Sequence, residues 1–440
     1  MKSNRQNLFQ LDGRVPVIQA IPFGLQHVLA MFVANITPII ILASVVNSAK
    51  PGMIPPELSA SLVQNCMIIA GIGTLIQLYP VWRIGSRLPI VMGISFTFLS
   101  LSIYIGTTQG MGVLMGAVIV GGIIEGVLGL FAKYWLRVVS PVVVASVVTA
   151  IGFSLLPIGA NSFAGGVGAP DFGSVENWIV GSVTLVVCLV FHVFAKGFLR
   201  SLSVLVGLVT GYVLAVCLGM VDFTSLQNID VVSLPKFMPF DVEFDFGAIL
   251  SIIAIFCVSA TETIGDTSAL CSGALKRMPT NKELGASISA DGFVSSVAGL
   301  FGCTPITSFS QNVGLASITG VVNRFAIAMG ACIMIIGGIF PAVGMALTTI
   351  PQAVLGGCTI MMFGTIMYAG FVLLSRSGFN DRNTVIVALS LGIGLGFTQA
   401  PGMFDVFPQM IKTIFAENCV AVVFLLALIL NLVLPKKFGK

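Results

Sequence analysis

Charge is missing from this chain over long unbroken stretches. No Asp, Glu, Lys or Arg occurs between Arg14 and Lys50, Arg87 and Glu125, Arg137 and Asp171, or Arg382 and Asp405. Arg324 to Arg376 is another such stretch, long enough for two passes with a turn near Pro351. A helix crosses the hydrocarbon layer in about 20 apolar residues. A soluble domain carries roughly 25% charged residues, whereas here they are 9%, against 56% hydrophobic and a mean hydropathy of +1.05. The expected fold class is therefore an all-α polytopic membrane protein. Cutting at charges and at Gly/Pro clusters gives about fourteen spans. They fall near 17–46, 58–80, 88–106, 110–134, 139–159, 178–195, 201–220, 247–272, 284–302, 307–323, 325–346, 352–373, 383–399 and 407–434.

Basic residues concentrate on the cytoplasmic side of membrane proteins. With the N-terminus inside, the inner segments hold Lys2, Arg5, Arg14, Arg83, Arg87, Lys133, Arg137, Lys196, Arg200, Lys276, Arg277, Lys282, Arg324, Arg376, Arg382, Lys436, Lys437 and Lys440. Of the 21 basic residues, only Lys50, Lys236 and Lys412 fall outside. Both termini are thus expected in the cytoplasm. The first fourteen residues are polar and precede no short apolar run with a cleavage site, so a removed signal peptide is not expected.

The longest outer loop, 222–246, carries Asp222, Asp230, Asp241, Glu243 and Asp245 and divides the chain into two sets of seven spans. An odd set repeated must reverse its orientation, which is the inverted-repeat plan of many secondary transporters. The third span of each half is short and interrupted, reading Pro89-Ile-Val-Met-Gly-Ile-Ser-Phe-Thr97 and Pro305-Ile-Thr-Ser-Phe-Ser310. Paired breaks at matching positions point to a substrate site. The stretches 94–97 and 306–309 alternate in type with β-prone residues, so each is expected to be a short extended segment before a half-helix.

Four carboxylates lie deep within spans, away from charged neighbours such as the Lys412–Glu417 stretch: Glu125, Glu262, Asp266 and Asp291. Each costs about 2.5–3.5 kcal/mol at mid-membrane on insertion scales, which makes function the default reading. Glu262 and Asp266 are one helical turn apart on one face, an arrangement suited to proton uptake and release or, alternatively, a packing pair neutralised by His27 or helix ends. His27, in the first span, reads as a structural or indirect group. Asp291, in Ser289-Ala-Asp-Gly292, is open between holding the site and moving protons. Glu125, among glycines in Gly121-Gly-Ile-Ile-Glu-Gly126, reads as structural, and His192 as unrelated to function.

Other chemistries find no support. The nine cysteines are scattered, with no CxxC spacing, and read as small apolar fillers rather than metal ligands or disulfides. Gly392-Ile-Gly-Leu-Gly396 lacks the strand–helix context of a dinucleotide site. No Walker sequence, nucleophile–base set or nucleic-acid stripe is present, so neither an enzyme, a resident cofactor, a metal nor a nucleic-acid partner is expected.

Gln311-Asn312-Val313-Gly314-Leu315-Ala316-Ser317-Ile318-Thr319-Gly320 resembles the signature of the nucleobase–ascorbate transporter family, Gln/Glu/Pro-Asn-x-Gly-x-x-x-x-Thr followed by Arg, Lys or Gly, at every specified position. Gly24-Leu-Gln-His-Val-Leu-Ala-Met31, Gly93-Ile-Ser-Phe96, Ala260-Thr-Glu-Thr-Ile-Gly-Asp266, Ala290-Asp-Gly292 and Gly302-Cys-Thr-Pro305 are similar to its other motifs, so the resemblance covers nearly the whole chain. It implies fourteen spans divided into a core and a gate domain, commonly in a dimer. The matching boundaries here are an N-terminal tail 1–14, core 15–137, gate 138–221, outer loop 222–246, core 247–346, gate 347–435 and a C-terminal tail 436–440.

Position by position, the resemblance implies that Glu262 receives the base's ring N–H groups and Gln311 grips its other edge. Phe96, Phe309 and Ser310, with Ser95 beside them, would flank the ring and offer main-chain donors. Asp266, Asp291 and His27 would couple or tune protons, and Asn312, Gly314 and Thr319 would affect affinity and specificity. Uracil members carry Glu at the position of Gln311 and His at that of Asp266, so Gln with Asp is similar to the xanthine and uric acid branch. Gly320, where eukaryotic members often carry Arg or Lys, fits a bacterial inner-membrane protein. The expected activity is proton-coupled purine uptake, with lipid, protons and a second copy as partners. A uracil or broad-range permease, an anion exchanger or channel on the same fold, and Na+ coupling remain open alternatives.

Overall fold

A computed structural model describes residues 7–132, 140–223, 232–400, 402–408, 412, 415 and 418–435. Lys2, Arg5, Lys133, Arg137, Asp230, Lys436, Lys437 and Lys440 lie outside the described residues, as does the expected boundary between residues 137 and 138. The chain is helical apart from two very short strands. In order run α1 (Val17–Ala49), α2 (Pro56–Leu78), β1 (Met92–Ile94), a 3-10 turn (Phe96–Phe98), α3 (Leu99–Thr108), α4 (Met111–Leu130), α5 (Pro141–Phe163), α6 (Val175–Phe194) and α7 (Ser203–Cys217). After the outer loop come α8 (Phe246–Gly273), α9 (Asn281–Leu300), β2 (Ile306–Ser308), α10 (Ser310–Thr319), α11 (Arg324–Ile339), α12 (Pro341–Thr348), α13 (Gln352–Ser377), α14 (Asp381–Thr398) and α15 (Cys419–Val433).

Seven described helices are long and apolar enough to cross a membrane, or eight if α11 and α12 form one span bent by 81°. The span expected at 325–346 is therefore broken, at Phe340-Pro341, because proline cannot continue the hydrogen-bond ladder. The two interrupted spans also depart from single helices, each splitting into a strand and a half-helix. The fourteen-span count rests on treating these shorter pieces as spans. Outside the membrane, Thr280 and Glu283 form a capping box at the start of α9, and Arg277 pairs with Glu283 at 2.5 Å. Partial burial pushes the Glu283 carboxyl up, but the hydrogen bonds from Arg277 and Thr280 outweigh it and hold it below the usual carboxylate range.

Helices pack mainly within two groups. One holds α1, α2, α4, α8, α9 and α11 around the strands, and the other holds α5, α6, α7, α13, α14 and α15. The strands lie at the centre of the first group, where β1 and β2 pair antiparallel with Met92 opposite Ser308, Gly93 opposite Thr307 and Ile94 opposite Ile306. Antiparallel pairing is what two segments of opposite orientation require. Ser95 N donates to Pro305 O and Phe309 N to Val91 O, both at 2.9 Å, extending the ladder by one bond at each end.

A sheet edge without partners is not tolerated in hydrocarbon. Here every outward amide of the two strands meets a side-chain acceptor. Met92 N donates to Thr74 Oγ1 at 2.9 Å and Ile94 N to Asn35 Oδ1 at 2.9 Å. On the opposite edge Ile306 N donates to Ser295 Oγ at 3.0 Å and Ser308 N to Asp291 Oδ2 at 3.0 Å. Gly93 is needed because a Cβ there would fall 2.7 Å from the Phe309 ring and 2.8 Å from Asn35 Oδ1. The first extended segment thus lies at 92–94 rather than at the expected 94–97, and Phe96 and Thr97 belong to the 3-10 turn.

Candidate functional site

Three carboxylates gather around the end of this sheet, each held by a different set of donors. Glu262, half-buried on α8, accepts Thr97 Oγ1–H at 2.7 Å from the 3-10 turn after β1. Asp266, one turn further along α8, accepts the hydroxyls of Ser310 at 2.7 Å and Ser308 at 3.3 Å. Asp291 on α9 is fully buried and accepts from Thr263 Oγ1 at 2.6 Å, Ser308 N at 3.0 Å and Gln77 Nε2 at 3.1 Å. Glu262 and Asp266 thereby join α8 to the two broken segments, while Asp291 clamps α2, α8 and β2 together from behind. Proton transfer by Asp291 would need those donors to let go, so its geometry favours holding the site.

Ser310 and Gln311 open α10 and are exposed. The amides at a helix start have no intrahelical partner, so the Ser310 and Gln311 N–H groups stand available beside the carboxylates. The Gln311 side chain makes no hydrogen bond among the described residues, which leaves its carboxamide donor and acceptor free for a ligand. Gly265 on α8 and Gly314 on α10 both face open space, with nothing within 4 Å of where a Cβ would stand.

The other expected residues stand as follows in this structure. Phe309 is buried, its ring packed beneath Gly93 and its N–H taken up by Val91 O, so it offers neither a free ring face nor a main-chain donor here. Ser95 is likewise buried, with its amide in the ladder. Phe96 is 7% exposed and packs edge-on against Phe363 of α13, with ring centroids 5.3 Å apart. His27 does not neutralise the carboxylate pair. It is buried, and Asn312 Nδ2 lies 3.2 Å from its Nδ1 while donating to its carbonyl at 2.9 Å, an arrangement that ties α10 to α1. Thr319 Oγ1 donates back to Leu315 O at 2.8 Å at the end of α10, where Gly320 takes the left-handed conformation at φ +71°. His192 lies away from the site, 3.1 Å from Arg200.

Sequence reasoning missed the acceptors and donors that frame these residues: Asn35, Thr74, Gln77, Thr97, Thr263 and Ser295. The available signal was polarity in otherwise apolar helices. Among the described residues no group of His, Cys, Asp and Glu could hold a metal ion. The arrangement is acidic and rich in hydrogen-bonding groups.

The model of the permease family matches residues 18–403. The xanthine permease XanQ of Escherichia coli K12 is 34% identical, with 97% of this chain and 94% of that protein covered. The chain belongs to the nucleobase–ascorbate transporter family. The uric acid permease PucK of Bacillus subtilis is also 34% identical, covering 88% of this chain and 89% of its own length. Among solved structures, the transmembrane domain of a cyanobacterium bicarbonate transporter, BicA, superposes with a TM-score of 0.55 at 14% identity, covering 94% of this chain and 97% of that one. At that identity the likeness is one of fold. This member of the family is accordingly a multi-pass nucleobase transporter and not an enzyme.

Proposed function

We propose that this transporter takes up oxidised purines, xanthine and/or uric acid, in symport with protons across a bacterial inner membrane, with both termini in the cytoplasm. The observation that carries this reading is the unpartnered Gln311 amide at an exposed helix start, next in sequence to Ser310, whose hydroxyl donates to Asp266 one turn from Glu262. An ionised carboxylate only accepts, whereas an amide both donates and accepts. An oxopurine presents ring N–H groups on one side and a mixed N–H and C=O edge on another, so the two kinds of residue divide its perimeter between them. Relatives named as xanthine and uric acid permeases support the same choice.

The acidic site argues against the anion-exchange alternative, since among the described residues no basic side chain hydrogen-bonds to its three carboxylates. Carboxylates are also the natural carriers of a coupling proton. The first packing group would form the core (15–137 and 247–346) and the second the gate (138–221 and 347–435), so that the core slides against the gate in alternating access. The uneven packing within and between the groups supports this division.

Uptake of labelled xanthine and uric acid into cells or proteoliposomes is expected to reach accumulation that a protonophore abolishes. Accumulation that persists with the protonophore and follows a Na+ gradient would transfer the coupling to sodium. Gln311→Glu should weaken purine uptake, because the ionised side chain cannot donate to the purine edge. One lost hydrogen bond is worth about 0.5–1.5 kcal/mol, or about two- to tenfold in affinity. Unchanged xanthine and uric acid affinity in this variant would overturn the assignment of purines through Gln311.

A further inference from the structure

Among the described residues Glu125 is the intramembrane carboxylate that the site does not use, and its surroundings are unlike those of the other three. It is 1% exposed, and neither Oε1 nor Oε2 has a hydrogen-bond partner. Glycines seal the seam around it. A Cβ on Gly122 would lie 2.6 Å from Gly292 O, and one on Gly292 would lie 2.1 Å from Gly126 N, so α4 and α9 touch backbone to backbone on either side of the carboxyl. Such small-residue contact brings the two backbones together at the carboxyl.

The groups acting on Glu125 electrostatically are Asp291 on α9 and Glu262 on α8, both acids, and it acts in turn on Cys257 of α8. No cation faces it from either helix in that set. An ionised carboxylate in this place would be dry, unpaired and among like charges, the least tolerable state for a buried group. Ser259 faces it from α8, and its Oγ is also buried without a partner. The serine hydroxyl can serve either form of the carboxyl, but only the protonated form also removes the unpaired charge, and its O–H can donate to Ser259 in turn. Ser259 lies three residues before Glu262, on the same face of α8.

We propose that Glu125 is a neutral carboxylic acid that keeps its proton throughout the transport cycle and, through Ser259, positions the face of α8 that carries Glu262. The helices around it, α4, α8 and α9, belong to one packing group, so the carboxyl keeps the same surroundings when that group moves as a body. Glu125 is thus a positioning residue, separate from the coupling carboxylates. The link to Glu262 rests on the transport reading above, whereas the protonation state does not.

Infrared spectroscopy of the purified full-length protein in lipid is expected to show a protonated-carboxyl band that is missing from Glu125→Gln and does not change from mildly acidic to mildly alkaline pH. Should Glu125→Gln fail to reach the membrane, Glu125→Asp makes the assignment by shifting the band. Glu125→Gln, which preserves size, a donor and an acceptor, should keep wild-type accumulation and pH profile. Glu125→Leu, which strands Ser259, should lose about tenfold in substrate affinity, as for one buried hydrogen bond, and be rescued by the Gln variant at the same position. A band that titrates, or a Glu125→Gln protein that binds substrate but no longer accumulates it, would overturn the proposal by making Glu125 a proton carrier. Wild-type affinity in Glu125→Leu would overturn the positioning role. The infrared arm needs no substrate, so its failure is distinct from failure of the purine assignment.

Discussion

Glu262→Gln is expected to weaken purine binding sharply and not merely transport. Thr97 Oγ1–H already takes one acceptor site on Glu262 Oε2, so the other oxygen is the one wholly free to accept from a ligand. In the Gln variant, the carbonyl that retains the Thr97 bond turns the NH2 group toward the base, where two donors then face each other. Flipping the amide restores an acceptor to the base but opposes NH2 to the Thr97 hydroxyl, which must give up its own proton's acceptor. Either way a buried polar group is left unmatched, at about 1–3 kcal/mol per group and more where a charged acceptor is lost. That corresponds to a loss of roughly tenfold to more than a hundredfold in affinity. Asp266→Asn should behave differently. Asp266 is engaged by Ser310 and Ser308 and an Asn carbonyl can still accept from one of them, so binding should survive while accumulation weakens. Titration calorimetry of purified variants with xanthine separates the two, and wild-type affinity in Glu262→Gln would remove this residue from the ligand set.

The location of the site was legible in the sequence, while its internal wiring was not. Two Gly/Pro-broken stretches at matching positions, with carboxylates in nearby spans, were enough to bring 89–97, 305–310, Glu262 and Asp266 together. What escaped was the identity of the partners. That Asn35, Thr74 and Ser295 satisfy the outer edges of β1 and β2 depends on three helices converging at one depth, and one-dimensional spacing carries no such information. The first strand was displaced by two residues for a related reason. Alternation of β-prone types runs through Phe96 and Thr97, but the chain must turn into α3 there, and the 3-10 turn overrides local preference. Phe309 lies against Gly93, whose missing side chain offers a space that an aromatic ring fills. Burial of that ring could not be read from a motif that places it beside the ligand.

Asp291 offers the sharpest separation of architecture from ligand contact. Replacing it with alanine is expected to strand Ser308 N–H and to take one acceptor each from the Thr263 hydroxyl, which keeps Ser259 O, and the Gln77 amide, which keeps Ser287. A stranded donor costs about 1–3 kcal/mol, and removing one side of a buried charged network costs about 3–5 kcal/mol, which is a large share of the stability of any folded domain. The amide of Ser308 belongs to β2, so its release exposes a strand edge at membrane depth and loosens the residues leading to Ser310 and Gln311. Asp291→Ala should therefore lower both thermal stability and binding, and Asp291→Asn, whose carbonyl can serve some but not all of the donors, should fall between it and the wild type. Glu262→Gln, by contrast, should lose binding with little change in stability, because its unmatched group faces the ligand space. Measuring the thermal unfolding of the three variants in detergent without substrate tests this contrast. An Asp291→Ala protein as stable as the wild type would show that the carboxylate is not the clamp of the two-stranded sheet, and would return it to the candidates for direct proton transfer.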